Sequence, residues 1–365
     1  MSKRIIVAMS GGVDSSVAAW LLREQGFEPV GVTFDLWPEH DETAAEDARA
    51  ICRTLGIEHH LLDRREAFRA QVVEEFAREY LRGRTPNPCV RCNPRIKFAM
   101  LLETAAELDA HEVATGHYAV VGPPTEEEGA GLRQLIPGAE PAGRLLRRAG
   151  DISKDQSYVL HGLSRAQLTA TRLPLGALRK AEVRRLAERA GLKTHDRPDS
   201  QEICFIRDDD YAGFLERLAP EQIRPGWIVD SAGNRLAEHR GVHHFTIGQR
   251  KGLGFAAGRP RFVVRIDPDT ATVVVGDREE TLSRRFLVRD VNWLAFDAPS
   301  AAFDALVKIR YRHTAAPARV EPRPDRSAFI TFHTPQPAIT PGQAAVIYHG
   351  VIVLGGGTID AVFVS

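Results

Sequence analysis

The sequence predicts an α/β protein: a doubly wound parallel sheet over the first 206 residues, then a small middle domain and a C-terminal β-barrel. Three observations predict it. Short apolar runs alternate with helical patterns up to about residue 206, which is the rhythm of βαβ units. A turn rich in glycine and serine joins the first apolar run to the first helical pattern. Beyond that region the pattern changes to short β-branched runs separated by Asp-Pro, Pro-Gly and Gly-Gly turns, which suits small all-β units.

In chain order, the pattern predicts a strand at 5–8, a helix over 15–25 stopped by Gly26, a strand at 30–36 and a helix over 43–55. An extended segment at 59–62, a helix over 66–81 and a strand at 112–121 follow. Residues 122–150 are rich in Gly, Pro and acids without a clean period, and read as a long loop or hairpin excursion. A helix over 179–190 has Gly191 where a helix-ending glycine is expected. The later β runs fall at 262–266, 272–275, 307–311 and 345–353. The expected domains are 1–206, 207–277 and 278–365.

At 365 residues the chain exceeds one comfortable core, and 43% hydrophobic with 26% charged residues is ordinary globular usage, which excludes extended disorder. Lys plus Arg and Asp plus Glu are both 48, so a nucleic-acid partner would be met by a local basic surface rather than by net charge. The apolar run at the N-terminus is too short for a signal sequence, and no stretch approaches the roughly 20 apolar residues of a membrane span. A soluble, cytoplasmic protein is the expectation. Four cysteines in so long a chain do not make a disulfide scaffold; clustered cysteines in a reducing compartment point to metal binding or thiol chemistry.

The turn after the first strand reads Ser10, Gly11, Gly12, Val13, Asp14, Ser15, Ser16, and a helix follows. Glycines let the backbone approach a phosphate, and free amides at the positive end of the helix dipole attract it. It is not a Walker loop, because the lysine that reaches the outer phosphates is missing. It resembles the pyrophosphate loop SGGxDS of ATP pyrophosphatases, which cut ATP between its first and second phosphates and pass AMP to a carbonyl or amide oxygen.

Cys89 and Cys92 form a Cys-x-x-Cys pair on a segment kept nonhelical by neighbouring prolines. Such a pair is either half of a metal site or a thiol pair. Structural zinc would want a second pair, and only Cys52 and Cys204 remain, each alone. Cys52 reads as a core residue beside Ala48 and Leu55, and Cys204, taken alone, has the same bland reading. Between Arg240 and Arg265 there are six Arg or Lys and no Asp or Glu, a run that either holds phosphate or is a solvated basic face.

Seven ordered motifs carry a resemblance to the tRNA-specific 2-thiouridylase family over nearly the full chain. They are SGGVDSSV at 10–17, NPCVRCN with IKF at 87–98, ATGHYA at 114–119, KDQSY at 154–158, DSQEICFI at 199–206, FTIGQRKGLG at 245–254 and LGGG at 354–357. The resemblance implies an adenine nucleotide alpha hydrolase-like first domain that binds ATP with Mg2+. It assigns that site to Ala8, Met9, Ser10, Gly11, Gly12, Val13, Asp14 and Ser15, with Phe34 and Gly116 beside the adenine. Asp14 is expected to be essential for adenylation. Cys92 is implied as the catalytic nucleophile and Cys204 as the persulfide carrier. Contacts to tRNA are implied for Asn87, Pro88, Cys89, His117, Lys154, Asp155, Gln156, Arg310, Tyr311 and Gln343. The implied partners are the anticodon loop of tRNA, with its wobble uridine, and a sulfur donor protein, either a cysteine desulfurase or a relay; no membrane is involved.

Two positions depart from the family pattern. Some members carry aspartate where this chain has Cys89, and methionine is frequent where it has Phe34. Three alternatives remain at the level of sequence: an iron-sulfur thiolase using Cys89, Cys92 and Cys204 as cluster ligands, an amidating enzyme built on the same loop, and a noncatalytic RNA-binding protein.

Overall fold

The computed structural model of the chain describes residues 3–37, 42–192, 203–206, 210–255 and 258–363. The first part is a five-stranded sheet in the order His59–Asp63, Phe27–Asp35, Lys3–Ala8, Glu112–Ala114, Thr171–Arg172. Every neighbouring pair is parallel. Ile5, Ile6 and Val7 of the central strand are fully buried because both faces are covered, and this is why that strand reads as an unbroken apolar run. Ile5 and Val7 pack with Val17, Ala18 and Leu22 of the helix Val13–Glu24, while Ile6 faces Phe98 and Leu101 of the helix Phe98–Glu107. The order of connections reverses between the strands Lys3–Ala8 and Glu112–Ala114, and the crevice beyond their carboxyl ends is where such sheets bind ligands.

Several elements differ from the expectation. The strand expected at 112–121 is two, Glu112–Ala114 in the parallel sheet and Val120–Gly122 in another. Gly116 is the reason: a Cβ there would lie 2.7 Å from the Ser15 backbone nitrogen, so the chain leaves the sheet to pass over the start of the helix Val13–Glu24. The excursion at 122–150 is a hairpin of Val120–Gly122 and Leu145–Arg147 that encloses a helix, Glu126–Leu135. Thr125 and Glu128 cap that helix reciprocally, and Gly129 and Gly131 hide it from a reading by periodicity. The helix expected over 66–81 is present but widens into a π turn at Arg69–Val73.

The middle part is a four-stranded sheet in the order Phe262–Asp267, Thr272–Gly276, Gly226–Asp230, Arg235–His239, preceded by the helix Tyr211–Leu218. The last part is a closed barrel in the order Leu282–Trp293, Ala328–Pro337, Ala316–Pro322, Phe303–Lys308, Ala344–His349, Ile352–Phe363, whose last strand pairs back with its first. The run expected as one strand over 345–353 is the hairpin between its final two strands, turned at Gly350, whose φ is +57°. The LGGG motif serves the barrel: Cβ atoms at Gly355 and Gly357 would lie 2.4 Å from Asn292 O and Arg289 O of the neighbouring strand.

The three parts meet at the segment that leads to Cys89. Thr85 N donates to Pro341 O of the barrel at 2.9 Å, and Gln343 Nε2 donates to Thr85 O at 2.7 Å. Thr85 Oγ1 also bonds Thr246 Oγ1 of the middle part at 3.2 Å. Arg84 pairs with Glu79 at 2.7 Å and with Asp360 at 3.2 Å. No helix among the described residues is long and apolar enough to cross a membrane.

Candidate active site

The strand Lys3–Ala8 delivers the chain to Ser10–Gly12 at the crevice. Gly11 has φ +73°, and a Cβ on it would lie 2.7 Å from Ala44 O, so only glycine fits. Gly12 caps the helix Val13–Glu24 with extended backbone and no side-chain bond, which leaves the first amides of the helix for an anion. Serines stiffen the loop from beneath: Ser15 Oγ accepts from Ser10 N at 3.2 Å and donates to Gly12 O at 3.1 Å, and Ser16 Oγ donates to Gly12 O at 2.7 Å. Ala8, Met9 and Val13 pack below in the core, Met9 and Val13 almost fully buried. Phe34, at the end of the adjacent strand, is partly buried between two cores.

Asp14 sits in the first turn of that helix and is tied to two distant groups. Tyr118 Oη donates to its carboxylate at 2.6 Å, and Lys180 Nζ lies 2.7 and 2.8 Å from its two oxygens. Asp14 therefore locks the turn around Gly116 and the helix Lys180–Arg189 onto the phosphate loop. His117, in the same turn, is hydrogen-bonded through Nδ1 to Thr115 Oγ1 at 2.7 Å and packs 5.9 Å from the Phe98 ring. Burial and then the Lys97 ammonium pull its pKa down to about 3, so it is neutral at physiological pH.

The thiols converge on Lys97. The segment expected to be nonhelical is in fact the short helix Pro88–Cys92, running on into the turn Asn93–Lys97: Asn87 caps it by accepting from Cys89 N at 3.1 Å, and Pro88 sits in its first turn, where a missing N–H costs no helical hydrogen bond. This leaves Cys89 exposed and Cys92 buried. The next five residues, Asn93–Lys97, form a π turn, which brings residues five apart onto one face and sets Lys97 over Cys92. Burial pushes the Cys92 thiol up to about 12, opposed by Lys97. Cys204 is exposed at the surface, but the protein packed around its segment raises its pKa too, and Lys97 opposes that as well. Burial pulls Lys97 down, and Cys92, Cys89 and Cys204 in their thiolate forms pull it up by more, so a thiolate here and the Lys97 ammonium stabilise each other. Phe205 holds the Cys204 segment beside Cys92, with its ring 5.6 Å from Phe68, 5.3 Å from Phe76 and 5.5 Å from Phe214. Residues 199–202 of the motif containing Cys204 lie outside the described residues. Cys52 is a core cysteine against Gly31, as its neighbours in sequence suggest.

The residues with implied tRNA contacts fall into three places. Asn87, Pro88 and Cys89 are at the thiols. Lys154, Asp155 and Gln156 form a turn braced from within: Asp155 accepts from Ala149 N and Ser157 N at 3.1 Å, and Gln156 Oε1 accepts from Tyr118 N at 2.8 Å. Tyr311 stands between this turn and the thiols, 39% exposed, with Lys308 5.5 Å from its ring. Arg310 and Gln343 line an open groove of about 470 Å³ where Thr246–Gln249 of the middle part face the barrel. Two arginines and no acid line that groove, and Arg310 is oriented by Pro337 O and Ala338 O at 3.2 and 3.3 Å. Within the basic run, Arg259 and Arg261 share one carboxylate, Asp277, at 3.3 and 3.2 Å, which offsets one of their two charges.

Four residues of this site carry no role in the sequence reading: Lys97, Tyr118, Lys180 and Phe205. Lys97, Tyr118 and Phe205 lie inside quoted motifs, where a lysine five residues past a cysteine was a usable signal only with the π turn in view. Lys180 is 166 residues from Asp14, and nothing local marks it.

A parallel sheet with a glycine-built, uncapped helix start at its switch point defines a nucleotide-binding α/β enzyme, here with thiols beside the nucleotide crevice. Residues 3–208 match the family model described as tRNA methyl transferase HUP domain, 212–277 the PRC-barrel domain of the same name, and 283–359 the aminomethyltransferase beta-barrel domain. Among curated relatives, the tRNA-specific 2-thiouridylase MnmA 1 of Thermoanaerobacter sp. (strain X514) is 43% identical over 98% of this chain and 98% of its own length. The tRNA-specific 2-thiouridylases MnmA of Halothermothrix orenii and Heliobacterium modesticaldum are 41% and 45% identical, covering 99% and 98% of this chain and 99% and 93% of theirs. The chain belongs to the tRNA-specific 2-thiouridylase family.

Proposed function

We propose that this chain, a tRNA 2-thiouridylase by family, thiolates C2 of the wobble uridine through an adenylated base and a persulfide on Cys204. The observation that carries this reading is the pairing of buried Cys92 with the Cys204 segment over the Lys97 ammonium, next to an uncapped phosphate loop. ATP binds with Mg2+ at the loop, the uracil O2 attacks the first phosphate, and pyrophosphate leaves. The outer sulfur of the Cys204 persulfide then attacks C2 and expels AMP. The Cys92 thiolate attacks the inner sulfur, 2-thiouridine departs, and a Cys92–Cys204 disulfide remains for an external thiol to reduce. Lys97 favours the thiolate form of both cysteines during these steps.

The middle and barrel parts hold the RNA. Supporting this are the acid-free groove around Arg278, Arg310 and Gln343 and the exposed Tyr311 beside Cys89, a platform on which an unstacked base can rest. The sulfur reaches Cys204 from a cysteine desulfurase or a relay protein in the cytoplasm. Methyl transfer, after which the family models are named, and thiolation, after which the relatives are named, are different reactions; paired thiols beside a phosphate loop support the second. A cluster-bearing thiolase is the second reading, favoured by the mutual influence of Cys89, Cys92 and Cys204, and iron content of the purified protein separates the two.

Pyrophosphate release tests the reading. It is expected to depend on tRNA, and Asp14→Ala is expected to abolish it while leaving tRNA affinity largely intact, because Asp14 braces the loop and the groove lies elsewhere. Equal release without tRNA, or equal loss of RNA binding in the variant, would refute it.

A further inference from the structure

Among the described residues one group of metal-ligating side chains gathers its donor atoms within 4.8 Å of one another, and it lies away from the thiols: Glu216, His243 and His244. Glu216 is on the helix Tyr211–Leu218, and the two histidines end the short 3-10 turn Val242–His244 that packs against it. His244 Nε2 is 3.1 Å from Glu216 Oε1 and His243 Nε2 is 3.6 Å from it. Bonds of about 2.0–2.1 Å in a tetrahedral zinc site set neighbouring donors roughly 3.3 Å apart, so both separations match a shared ion.

The decisive observation is His243. Its side chain is 1% exposed, yet Nε2 has no hydrogen-bond partner and points at the glutamate. A buried, unpaired ring nitrogen costs stability unless something takes its lone pair or proton. The chain makes room for this orientation: a Cβ at Gly241 would lie 2.4 Å from His243 Cε1, so glycine is what lets the ring turn inward.

We propose that Glu216, His243 and His244 form a binding site for a divalent first-row transition ion, zinc being the ion that two imidazoles and one carboxylate suit. The ion acts as a clip. It ties the helix whose Phe214 packs on Phe205, next to Cys204, to the turn that runs directly into Thr246–Gln249 of the groove. A water completes its coordination on the solvent side, where Glu216 is 42% exposed.

The thiols would also take zinc, so the test uses the full chain with Cys89, Cys92 and Cys204 replaced by serine, stripped with a chelator and titrated calorimetrically with Zn2+. One equivalent is expected. Glu216→Gln in the same background is expected to weaken binding on the order of 10-fold or more, as is His244→Ala. Glu216 is exposed, so Glu216→Gln keeps the fold and carries the test if a buried His243→Ala variant does not fold. No bound zinc, or the same affinity with Glu216→Gln and His244→Ala, overturns the proposal.

Discussion

Lys97 is the residue on which the chemistry of the thiols turns. Burial leaves Cys92 a thiol at neutral pH, raised to about 12, and the charge of Lys97 is the strongest influence that opposes this. A step that needs the Cys92 thiolate should therefore speed up as pH rises through neutrality. Lys97→Met removes the opposing charge, so the rate of sulfur release from a preloaded persulfide should fall and its pH profile should move to higher pH. Single-turnover rates across pH check this, and a profile unmoved in the variant would show that Lys97 does not act on the thiolate. The phosphate loop was legible in sequence because its glycines and serines are adjacent, each with a local reason to be there. The Asp14, Tyr118 and Lys180 network was not, since it joins residues from three segments that only the fold brings together.

At the scale of elements, the short segment 203–206 depends on one ring. Phe205 is 4% exposed and touches the aromatic rings of Phe68, Phe76, Phe214 and Trp37. Phe205→Ala should cost about 3 kcal/mol in packing. Because Cys204 precedes it directly, sulfur transfer should slow far more than tRNA-dependent pyrophosphate release. Comparing the two rates in the variant decides it; equal losses would mean that the ring supports the whole domain and not the thiol. Elements with strong period, such as the first strand and helix, were readable from the sequence. Those shaped by close approach were not: Gly116 breaks a predicted strand because a helix start lies against it, and Gly129 and Gly131 mask a helix whose caps at Thr125 and Glu128 are nonetheless written in the sequence.

For the whole molecule, the barrel shares a core with the nucleotide-binding part. Ala344, Val346, Tyr348 and Val353 pack with Tyr158, Leu160 and Leu163, and the barrel's Asn292 bonds His161 O and Leu163 O at 2.8 Å. His161 is buried at this junction, donating from Nδ1 to Tyr158 O at 2.8 Å, and burial lowers its pKa from 6.5 to about 4. Between those values only the unfolded chain binds the proton, so stability falls as pH falls through that window. Urea midpoints should drop from pH 6.5 towards pH 4, and His161→Gln should show a shallower drop; identical slopes would remove His161 from the account. The barrel was legible as an all-β region, but its packing against the first sheet was not, because the residues on both sides are ordinary apolar ones.

The central claim is the division of labour between Cys204 and Cys92. Intact-protein mass spectrometry after incubation with a cysteine desulfurase and cysteine tests it most directly. Cys92→Ser should carry one added sulfur on the peptide containing Cys204 and, once tRNA and ATP are added, hold the tRNA on that sulfur as a covalent adduct, since the thiol that releases the product is gone. Cys204→Ser should carry none. An added sulfur found on Cys92 in the Cys204→Ser protein would contradict the account and reverse the two roles.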